Sequence, residues 1–441
     1  MKLHTWPAVA VLAGSAVAGT VAVPGPAAAA PAGMAYSAAN SVATGDQDGA
    51  AIAMNRNGYL AVVWEDDRDS TAPGDSAHSE VFLRLYKDGV SLYEKKLSAA
   101  GTSGTAWKHI SPDVALDDRG NAVVVWSDDP DGNGYYNVPY RVLGPTGTLL
   151  ASGQANADAT GQQILPRVAV DPDGTPNNAS AVAFSVVWED IQGTAPATVR
   201  AAGFTNITTK AYEVTAGQAA GAHHRPDVAV PASGDAIVVW DEDADANGYY
   251  NIGLVRLAKA NGAVNLTRRS ANSLGDGQQL RAAVAANYNG DFTVAWESDH
   301  PGTFGVWSRS FAADGAPRHA EVQASSEAGA NTASVGLDDQ ANVVVGWTTP
   351  ANARDVWARG LNPDGTADGR IAAQHFGQVS TGRQEQAGVA VSPWGEVAIA
   401  YTDDNDGNLF DQVYLGTGVV NSTFLRKGSY RAQAKLIAPP A

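Results

Sequence analysis

The 441-residue chain contains no cysteine, so neither disulfide bonds nor thiolate zinc sites hold it together. Positive charge is scarce, because 29 Lys and Arg stand against 46 Asp and Glu, which gives a formal net charge of -17. This balance disfavours nucleic acid, whose binding requires concentrated positive charge. Beyond the first 35 residues, the chain lacks an apolar run of the roughly 20 residues that a membrane-spanning helix needs. We therefore expect neither nucleic-acid binding nor membrane insertion.

The amino-terminal segment has the pattern of a secretory signal peptide. It starts with Met-Lys, continues with an apolar run and ends in small residues rich in alanine. We predict a leader over residues 1–30, cleaved at about residues 29–35, and exclude it from the fold. The mature protein is then expected to be secreted to the outside of a bacterial cell.

What the chain has instead is a repeated unit that occurs seven times. Each copy ends a β-branched run with an aromatic residue, as in the stretch Ala-Ile-Val-Val-Trp that ends at Trp240. These anchors lie 51 to 62 residues apart and are Trp64, Trp126, Trp188, Trp240, Trp296, Trp347 and Tyr401. An aliphatic residue stands twelve positions before six of the anchors, and an insertion breaks this spacing in the third repeat.

Each unit is typical of four short strands separated by Gly, Asn and Asp turns. Four strands per repeat of this length indicate the blade of a β-propeller. The sequence therefore predicts an all-β, seven-bladed β-propeller over residues 36–420, with four antiparallel strands per blade. Residues 36–45 are expected to complete the last blade beside the strand around Val413. Residues 421–441 form a carboxyl-terminal tail that alternates polar and apolar residues and is a candidate for one added strand.

The repeats also resemble those of a known group of proteins. The stretch Val-Val-Trp-Ser-Asp-Asp-Pro-Asp-Gly-Asn at 124–133 is similar to the repeats of secreted bacterial seven-bladed β-propeller proteins. The resemblance covers about residues 36–420 and implies the propeller fold rather than an activity. The Asp-box of sialidases, Ser-x-Asp-x-Gly-x-Thr-Trp, occurs in none of the repeats.

Polar ladders follow the second and fourth anchors at the same four offsets. Oxygen ligands at alternate positions of a tight loop can surround a hard cation such as calcium, and glycine permits the chain reversal. The pattern resembles the calcium loops of integrin α-subunit propellers, and the seventh repeat has a looser version. An Asx-turn loop without metal is the alternative. The candidate calcium ligands are Asp129, Asp131, Asn133, Asn137, Asp243, Asp245, Asn247, Asn251, Asp404, Asp406, Asn408 and Asp411.

One face of the propeller is expected to hold the ligand. The loops between second and third strands share that face with the connections between blades, and both are rich in aromatic and amide side chains. Aromatic rings can stack on sugars, whereas Gln and His can hydrogen-bond hydroxyl groups. The candidate ligand-binding residues are Trp107, Tyr135, Tyr136, Gln162, His224, Tyr249, Tyr250 and Gln278.

Two classes of function fit this pattern. Similar pockets around a ring favour a non-enzymatic binding module, a lectin or cell-surface-binding protein whose partner is a cell-surface glycan or a secreted protein. A protein-interaction subunit of an extracellular assembly is a related alternative. The other class is a polysaccharide-acting hydrolase or lyase, which needs a pair of carboxylates near the channel mouth. Because the acids lie chiefly in repeated loops, the expectation is no enzyme. Glu385 and His224 are the least-explained candidates for catalysis.

Overall fold

The β-branched runs that end at the anchors form the second strands of seven four-stranded antiparallel sheets. The structure is a computed structural model that describes residues 34–68, 78–99, 107–172, 182–217, 221–300, 302–325, 327–349, 354–369, 371–378, 382–404 and 410–418. Within these ranges the regular elements are all strands, and no helix long and apolar enough to cross a membrane is found. The predicted seven-bladed β-propeller is confirmed.

Blades 1 to 4 follow one another along the chain, and in each blade the strands run in order from the channel outwards. Blade 1 consists of β2 (Gln47–Met54), β3 (Tyr59–Asp66), β4 (Glu80–Lys87) and β5 (Val90–Lys96). Blade 2 consists of β6 (Lys108–Leu116), β7 (Ala122–Asp129), β8 (Pro139–Leu143) and β9 (Leu149–Gln154). Blade 3 consists of β10 (Gln162–Val170), β11 (Phe184–Ile191), β12 (Thr198–Phe204) and β13 (Lys210–Thr215). Blade 4 consists of β14 (Ala222–Ala229), β15 (Ala236–Asp243), β16 (Asn251–Leu257) and β17 (Val264–Ser270).

Blades 5 to 7 keep the same order, although their outermost strands are shorter. Blade 5 consists of β18 (Gln279–Ala286), β19 (Phe292–Ser298), β20 (Gly305–Phe311) and β21 (Val322–Gln323). Blade 6 consists of β22 (Asn331–Leu337), β23 (Val343–Thr348), β24 (Val356–Leu361) and β25 (Gln374–His375). Blade 7 consists of β26 (Gln384–Val391), β27 (Val397–Asp403), β28 (Gln412–Gly418) and β1 (Met34–Ala38).

The core is divided among the contacts between neighbouring blades. Seven clusters of buried apolar side chains each draw on two adjacent blades. In β3, for example, Val62 and Trp64 pack towards blade 7, whereas Ala61 and Val63 pack towards blade 2. The second strand is therefore apolar on both faces, which explains why its sequence does not alternate.

The ring closes through the first described strand. Met34–Ala38 pairs antiparallel with β28, and Met34 lies opposite Gly418. The sequence predicts this pairing for residues 36–45, whereas the strand begins two residues earlier and ends at Ala38. The innermost strands β26 and β2 also contact each other, so blade 7 packs against blade 1 as every other blade packs against the next.

The two faces of the ring carry different connections. The loop face is the one with the connections from second to third strands, such as residues 130–138 in blade 2. The turn face is the opposite one, where tight turns join first to second strands, as at Asn55–Gly58 in blade 1. The innermost strands begin at the loop face and end at the turn face, so both ends of the channel are lined by these strands.

Deleting β1 is expected to destabilise the whole ring. Without it, β28 loses its outer partner, and the Tyr36 hydroxyl no longer donates to the carbonyl oxygen of Phe376 at 2.8 Å. Each kcal/mol lost should lower Tm by roughly 2–4 °C. Calorimetry of chains that start at residue 34 and at residue 39 measures the difference. Equal melting temperatures would contradict closure by β1.

Candidate active site in the central channel

Every innermost strand has a β-bulge near the loop face. In blade 1 the register with β3 shifts between Asp48 and Ala51, and the other six blades show the same shift at the same place. Bulges turn side chains to new directions and are frequent beside active sites. The bulge residue has a left-handed φ of 48° to 58° in all seven blades: Gly49, Ser111, Leu165, Arg225, Arg281, Thr332 and Gln386.

In blades 1 to 5 the residue that follows the anchor binds the bulge of the next blade. Glu65 Oε1 accepts a hydrogen bond from the N–H of Ser111 at 2.7 Å, and Glu297 Oε1 accepts one from Thr332 at 2.7 Å. In blade 2 the hydroxyl of Ser127 does the same for Leu165 at 3.1 Å. Left-handed backbone at a residue other than glycine costs about 1–2 kcal/mol. These bonds hold the bulges in place and join adjacent blades.

The bulge residues, together with the residues two positions further along each strand, surround a cavity of about 470 Å³ at the loop-face end of the channel. Much of its wall consists of small side chains such as Ala51, Ala283 and Gly388. The cavity is also lined by six ionisable side chains from blades 1 to 5. They are Glu65, Asp113, Arg167, Arg225, Asp227 and Arg281.

Glu65 is a half-buried acid at the wall of the cavity. Burial, with smaller contributions from Asp48 and Asp67, raises the pKa of Glu65 to about 8, although the N–H of Ser111 opposes the shift. Its carboxyl group occupies space that a side chain at position 49 would need. A Cβ on Gly49 would lie 2.8 Å from Glu65 Oε1, and the φ of +58° also favours glycine there.

Asp113 and Asp227 belong to the blades on either side of Arg167. Asp113 Oδ2 accepts a hydrogen bond from the N–H of Val168 at 2.7 Å, and Asp227 Oδ2 accepts one from Val284 at 2.7 Å. Burial raises the pKa of both carboxyl groups, that of Asp227 to about 7, while the charge of Arg167 and these N–H donors oppose the shift. The cavity therefore contains both carboxyl groups and guanidinium groups, and burial opposes the full ionisation of the two aspartates.

The predicted tyrosines lie on the loop face, outside the cavity wall. Tyr135 and Tyr249 are 55% and 53% exposed, whereas Tyr136 and Tyr250 are half-buried. The paired glutamines hold the backbone of these loops. Gln278 Nε2 donates to the carbonyl oxygen of Gly248 at 2.9 Å, and its Oε1 accepts from the N–H of Tyr250. Gln162 makes the equivalent bonds in the loop of blade 2.

The remaining predicted side chains have structural neighbours of their own. His224 Nδ1 is 2.8 Å from Glu189 Oε1, and its ring packs edge-on against Tyr250 at 5.8 Å between centroids. Trp107 packs edge-on against His78 at 4.2 Å. Glu385 forms ion pairs with Arg354 and Arg383. None of these predicted residues belongs to the described wall of the cavity.

The polar ladders bring together three of their four members. Asp129 accepts hydrogen bonds from the N–H groups of Asn133 and Gly134 at 3.0 and 2.8 Å, and Asp131 accepts one from the Asn133 amide at 2.9 Å. Asn137 instead accepts from Asn156 at 2.9 Å, at the edge of the blade. The loop of blade 4 repeats this arrangement through Asp243, Asp245, Asn247, Asn251 and Asn272.

The ladder of blade 7 differs from the other two. Arg383 Nη2 is 2.7 Å from Asp411 Oδ2, and the N–H of Arg383 donates to Asp404, so an arginine lies where a cation was expected. Asp406 and Asn408 lie outside the described residues. Across the described chain, no group of three or more His, Asp or Glu side chains is arranged to hold a metal. Calcium binding by the loops of blades 2 and 4 stays a prediction.

Sequence reasoning missed the residues of the channel wall. Glu65 follows its anchor just as Glu189 and Glu297 do, so in sequence it is one more member of the repeat. Asp113 and Asp227 stand thirteen residues before their anchors, where the first, fifth, sixth and seventh repeats have Ala, Ala, Ser and Gly. An acid at this position departs from the repeat, although the backbone there is the same in the other blades. This departure is the signal in the sequence that could have identified Asp113 and Asp227.

Comparison with known proteins identifies the fold. No protein-family model matches the chain, and no curated protein matches it by sequence. A protein of unknown function from Dyadobacter fermentans superposes with a TM-score of 0.50 at 10% identity, covering 88% of this chain and 99% of that chain. The α-L-arabinofuranosidase Arb93A of Fusarium graminearum gives 0.49 at 9% identity, over 73% and 96%. The NanB sialidase of Streptococcus pneumoniae gives 0.47 at 9%, over 88% and 70%.

The prediction of a non-enzymatic binding module was wrong. Solved propellers with a similar fold include an arabinofuranosidase, a sialidase and the α-L-arabinanase of Penicillium chrysogenum, which are enzymes rather than binding modules. The error has a physical origin, because the acids were assigned to repeated loops, whereas Glu65, Asp113 and Asp227 line the channel. Since identities of 9–10% establish the fold alone, the chemistry of the cavity has to carry any assignment of activity.

Thermal stability is expected to fall as the pH rises from about 5 to about 9. Buried carboxyl groups have pKa values of about 8 in Glu65 and about 7 in Glu396, against about 4.3 in an unfolded chain. Between these values the folded state binds more protons, so the stabilisation is complete below the unfolded pKa and is lost as the pH passes the folded pKa.

Glu65→Gln and Glu396→Gln should each flatten this dependence, because glutamine does not titrate. The measurement is Tm against pH for the three proteins in one buffer series. A slope that neither substitution changes would show that these two groups do not titrate as described.

Proposed function

We propose that the protein hydrolyses glycosidic bonds of a polysaccharide in the channel cavity, with Glu65 and Asp113 as the two catalytic carboxyl groups. The observation that carries the proposal is the pair itself. Glu65 lines the cavity with its pKa raised by burial, and Asp113, from the adjacent blade, lines the same cavity under the influence of the Arg167 guanidinium group. Two carboxyl groups in unlike environments are the requirement for this reaction.

Each group has a distinct role in the proposed reaction. Glu65, with a pKa of about 8, donates its proton to the oxygen of the leaving sugar as the bond to the anomeric carbon breaks. Asp113 acts on the opposite side, either as the nucleophile or as the base that removes a proton from water. Burial raises the pKa of Asp113, and Arg167 and the N–H of Val168 oppose that shift and so favour the charged form that either role requires. The hydroxyl of water ends on the anomeric carbon. Its proton returns to Glu65 when Asp113 is the nucleophile; when Asp113 is the base, the proton passes to Asp113, and exchange with solvent then restores both groups.

The tyrosines of the loop face would receive the polymer outside the cavity. Tyr135 and Tyr249 are exposed on two loops of the same conformation, two blades apart, and the apolar face of a sugar ring can stack on them. Tyr136 is close enough to Glu65 for the acid to influence the pKa of its hydroxyl, which burial raises. The loops thus lead from exposed rings towards the acid.

The proposed location of the protein is outside the cell, where a polysaccharide is accessible. An early cut within the range expected for the leader is supported by β1, which begins at Met34 and completes blade 7. Cleavage after Ala35 would remove part of this strand, so a cut within residues 29–33 is the one compatible with a closed ring. The partner of the mature protein is then its glycan substrate.

Glu65→Gln is expected to lower kcat by about 10²–10⁴-fold, because the amide has no acidic proton to donate. Asp113→Asn should have a comparable effect. The matched control is Glu396→Gln, since Glu396 is also a buried glutamate with a raised pKa, about 7, but lies beside a turn of the turn face. The measurement is release of reducing ends from a panel of plant, algal and bacterial polysaccharides.

Three results would contradict the proposal. They are release from none of the polysaccharides by the unaltered protein, full activity of Glu65→Gln, and unsaturated sugar products. The last would indicate elimination by a lyase. Proton NMR of the first product gives the anomeric configuration, which decides whether Asp113 acts as nucleophile or base.

We also propose that calcium stabilises the loops of blades 2 and 4. Calcium that binds the folded state alone adds about 2.7 kcal/mol at a concentration of 100 Kd. Asp131→Ala with Asp245→Ala should abolish the rise in Tm on adding calcium, because these acids are exposed and accept few hydrogen bonds. Magnesium provides the control cation. A melting temperature indifferent to calcium and to chelator would contradict calcium binding.

A further inference from the structure

We propose that the polysaccharide is anionic, and that Arg167, Arg225 and Arg281 bind the oxyanion group of one of its sugar residues. This inference rests on the proposed hydrolysis in the same cavity and names the class of its substrate. The carboxyl groups of Glu65 and Asp113 come from blades 1 and 2, whereas the three arginines come from blades 3, 4 and 5. The cavity therefore has an acidic side for the bond that breaks and a cationic side for a charged substituent.

The backbone directs two of these arginines to the cavity. Arg225 and Arg281 are themselves bulge residues, with φ values of 48° and 51°. The same position in the neighbouring blades is occupied by Leu165 and Thr332, so the bulge does not require arginine. Arg167 stands two residues beyond a bulge, at the level of Asp113 and Asp227.

Ion pairs behind the wall orient the guanidinium groups without using all their donors. Arg225 Nε donates to Asp241 Oδ2 at 2.7 Å, and Arg281 Nη1 is 2.7 Å from Glu297 Oε2. Asp241 and Glu297 are buried, whereas the arginine side chains are 28% and 53% exposed. A guanidinium group has five N–H donors, so each arginine keeps several that are not used in these pairs.

Arg167 is the one of the three arginines that forms no ion pair among the described residues. Among the described residues it forms one hydrogen bond, from Nη1 to the carbonyl oxygen of Pro166 at 2.8 Å, and no carboxylate lies within ion-pair distance. A planar guanidinium group binds carboxylates and sulfates through paired hydrogen bonds, so an oxyanion in the cavity would satisfy it.

Protonation of Glu65 and Asp227 lowers the negative charge that faces the three arginines at neutral pH. The pKa values of about 8 for Glu65 and about 7 for Asp227 mean that these groups are largely or partly neutral there, whereas arginine remains charged. The protein as a whole has a formal net charge of -17. The net negative charge of the protein would repel an anionic ligand, so the cluster of three arginines is the local feature that can attract one.

Binding to the catalytically blocked Glu65→Gln protein tests the inference without relying on hydrolysis. The probes are oligogalacturonate and its methyl ester, and carrageenan oligosaccharide and its desulfated form. Isothermal titration calorimetry should show that at least one anionic probe binds about tenfold or more tightly than its neutral counterpart, and that salt weakens the binding. The carboxylated and sulfated arms tell which oxyanion the site takes.

Arg281→Gln in the same background should remove about tenfold of that affinity. The matched control is Arg318→Gln, because Arg318 also pairs with an acid, Asp291 at 2.6 Å, but lies at the turn face. Equal affinity for charged and neutral probes, or equal loss in both arginine variants, would overturn the inference. If an anionic probe binds as expected but the unaltered protein cleaves no polysaccharide, the proposed hydrolysis fails and the anion site remains.

Discussion

The packing of each second strand between two sheets is the interaction on which the rest of the molecule depends. A strand such as β3 is buried on both faces, and its anchor Trp64 is fully enclosed. Neither neighbouring blade can be removed without exposing one of these faces to water, so the blades stabilise one another around the ring. This arrangement replaces the single core of an ordinary domain by seven interfaces of similar kind.

The same interfaces fix the geometry of the cavity. In blades 1 to 5 the residue after the anchor extends past the apolar core and reaches the bulge of the next blade, as Glu65 reaches Ser111. The bulge in turn decides which side chains face the channel. Packing at the blade boundary and chemistry at the channel wall are therefore joined by one residue, and in blade 1 that residue is also the proposed acid.

The fold could be predicted from the sequence because its causes repeat. Seven anchors at similar spacing, each after a β-branched run, determine seven sheets, and the segment before the first repeat supplies the strand that the last sheet needs. The candidate site could not be predicted in this way. The raised pKa of Glu65 depends on its burial and on Asp48 and Asp67. Its carboxyl group fits beside position 49 because Gly49 has no side chain. None of these relations is visible before blade 1 is folded.

The polar ladders show the opposite situation, because their regular spacing predicts four side chains in one group whereas three come together. Asn137 follows Asp129 at the offset of a fourth ligand, but the chain has already returned to the blade edge by then, and its side-chain oxygen accepts from Asn156. The spacing of residues along a loop predicts which side chains lie close together only within the turn itself. The turn here ends at Gly134, three residues before Asn137.

Closure of the ring by β1 has a consequence for how the molecule would be presented. Met34 lies opposite Gly418, and Gly418 lies opposite Val397, which follows a turn of the turn face. Both ends of the described propeller therefore leave it at one place, on the side away from the cavity mouth. A tether attached at either end would hold the propeller with its mouth directed outwards, towards whatever polymer surrounds it.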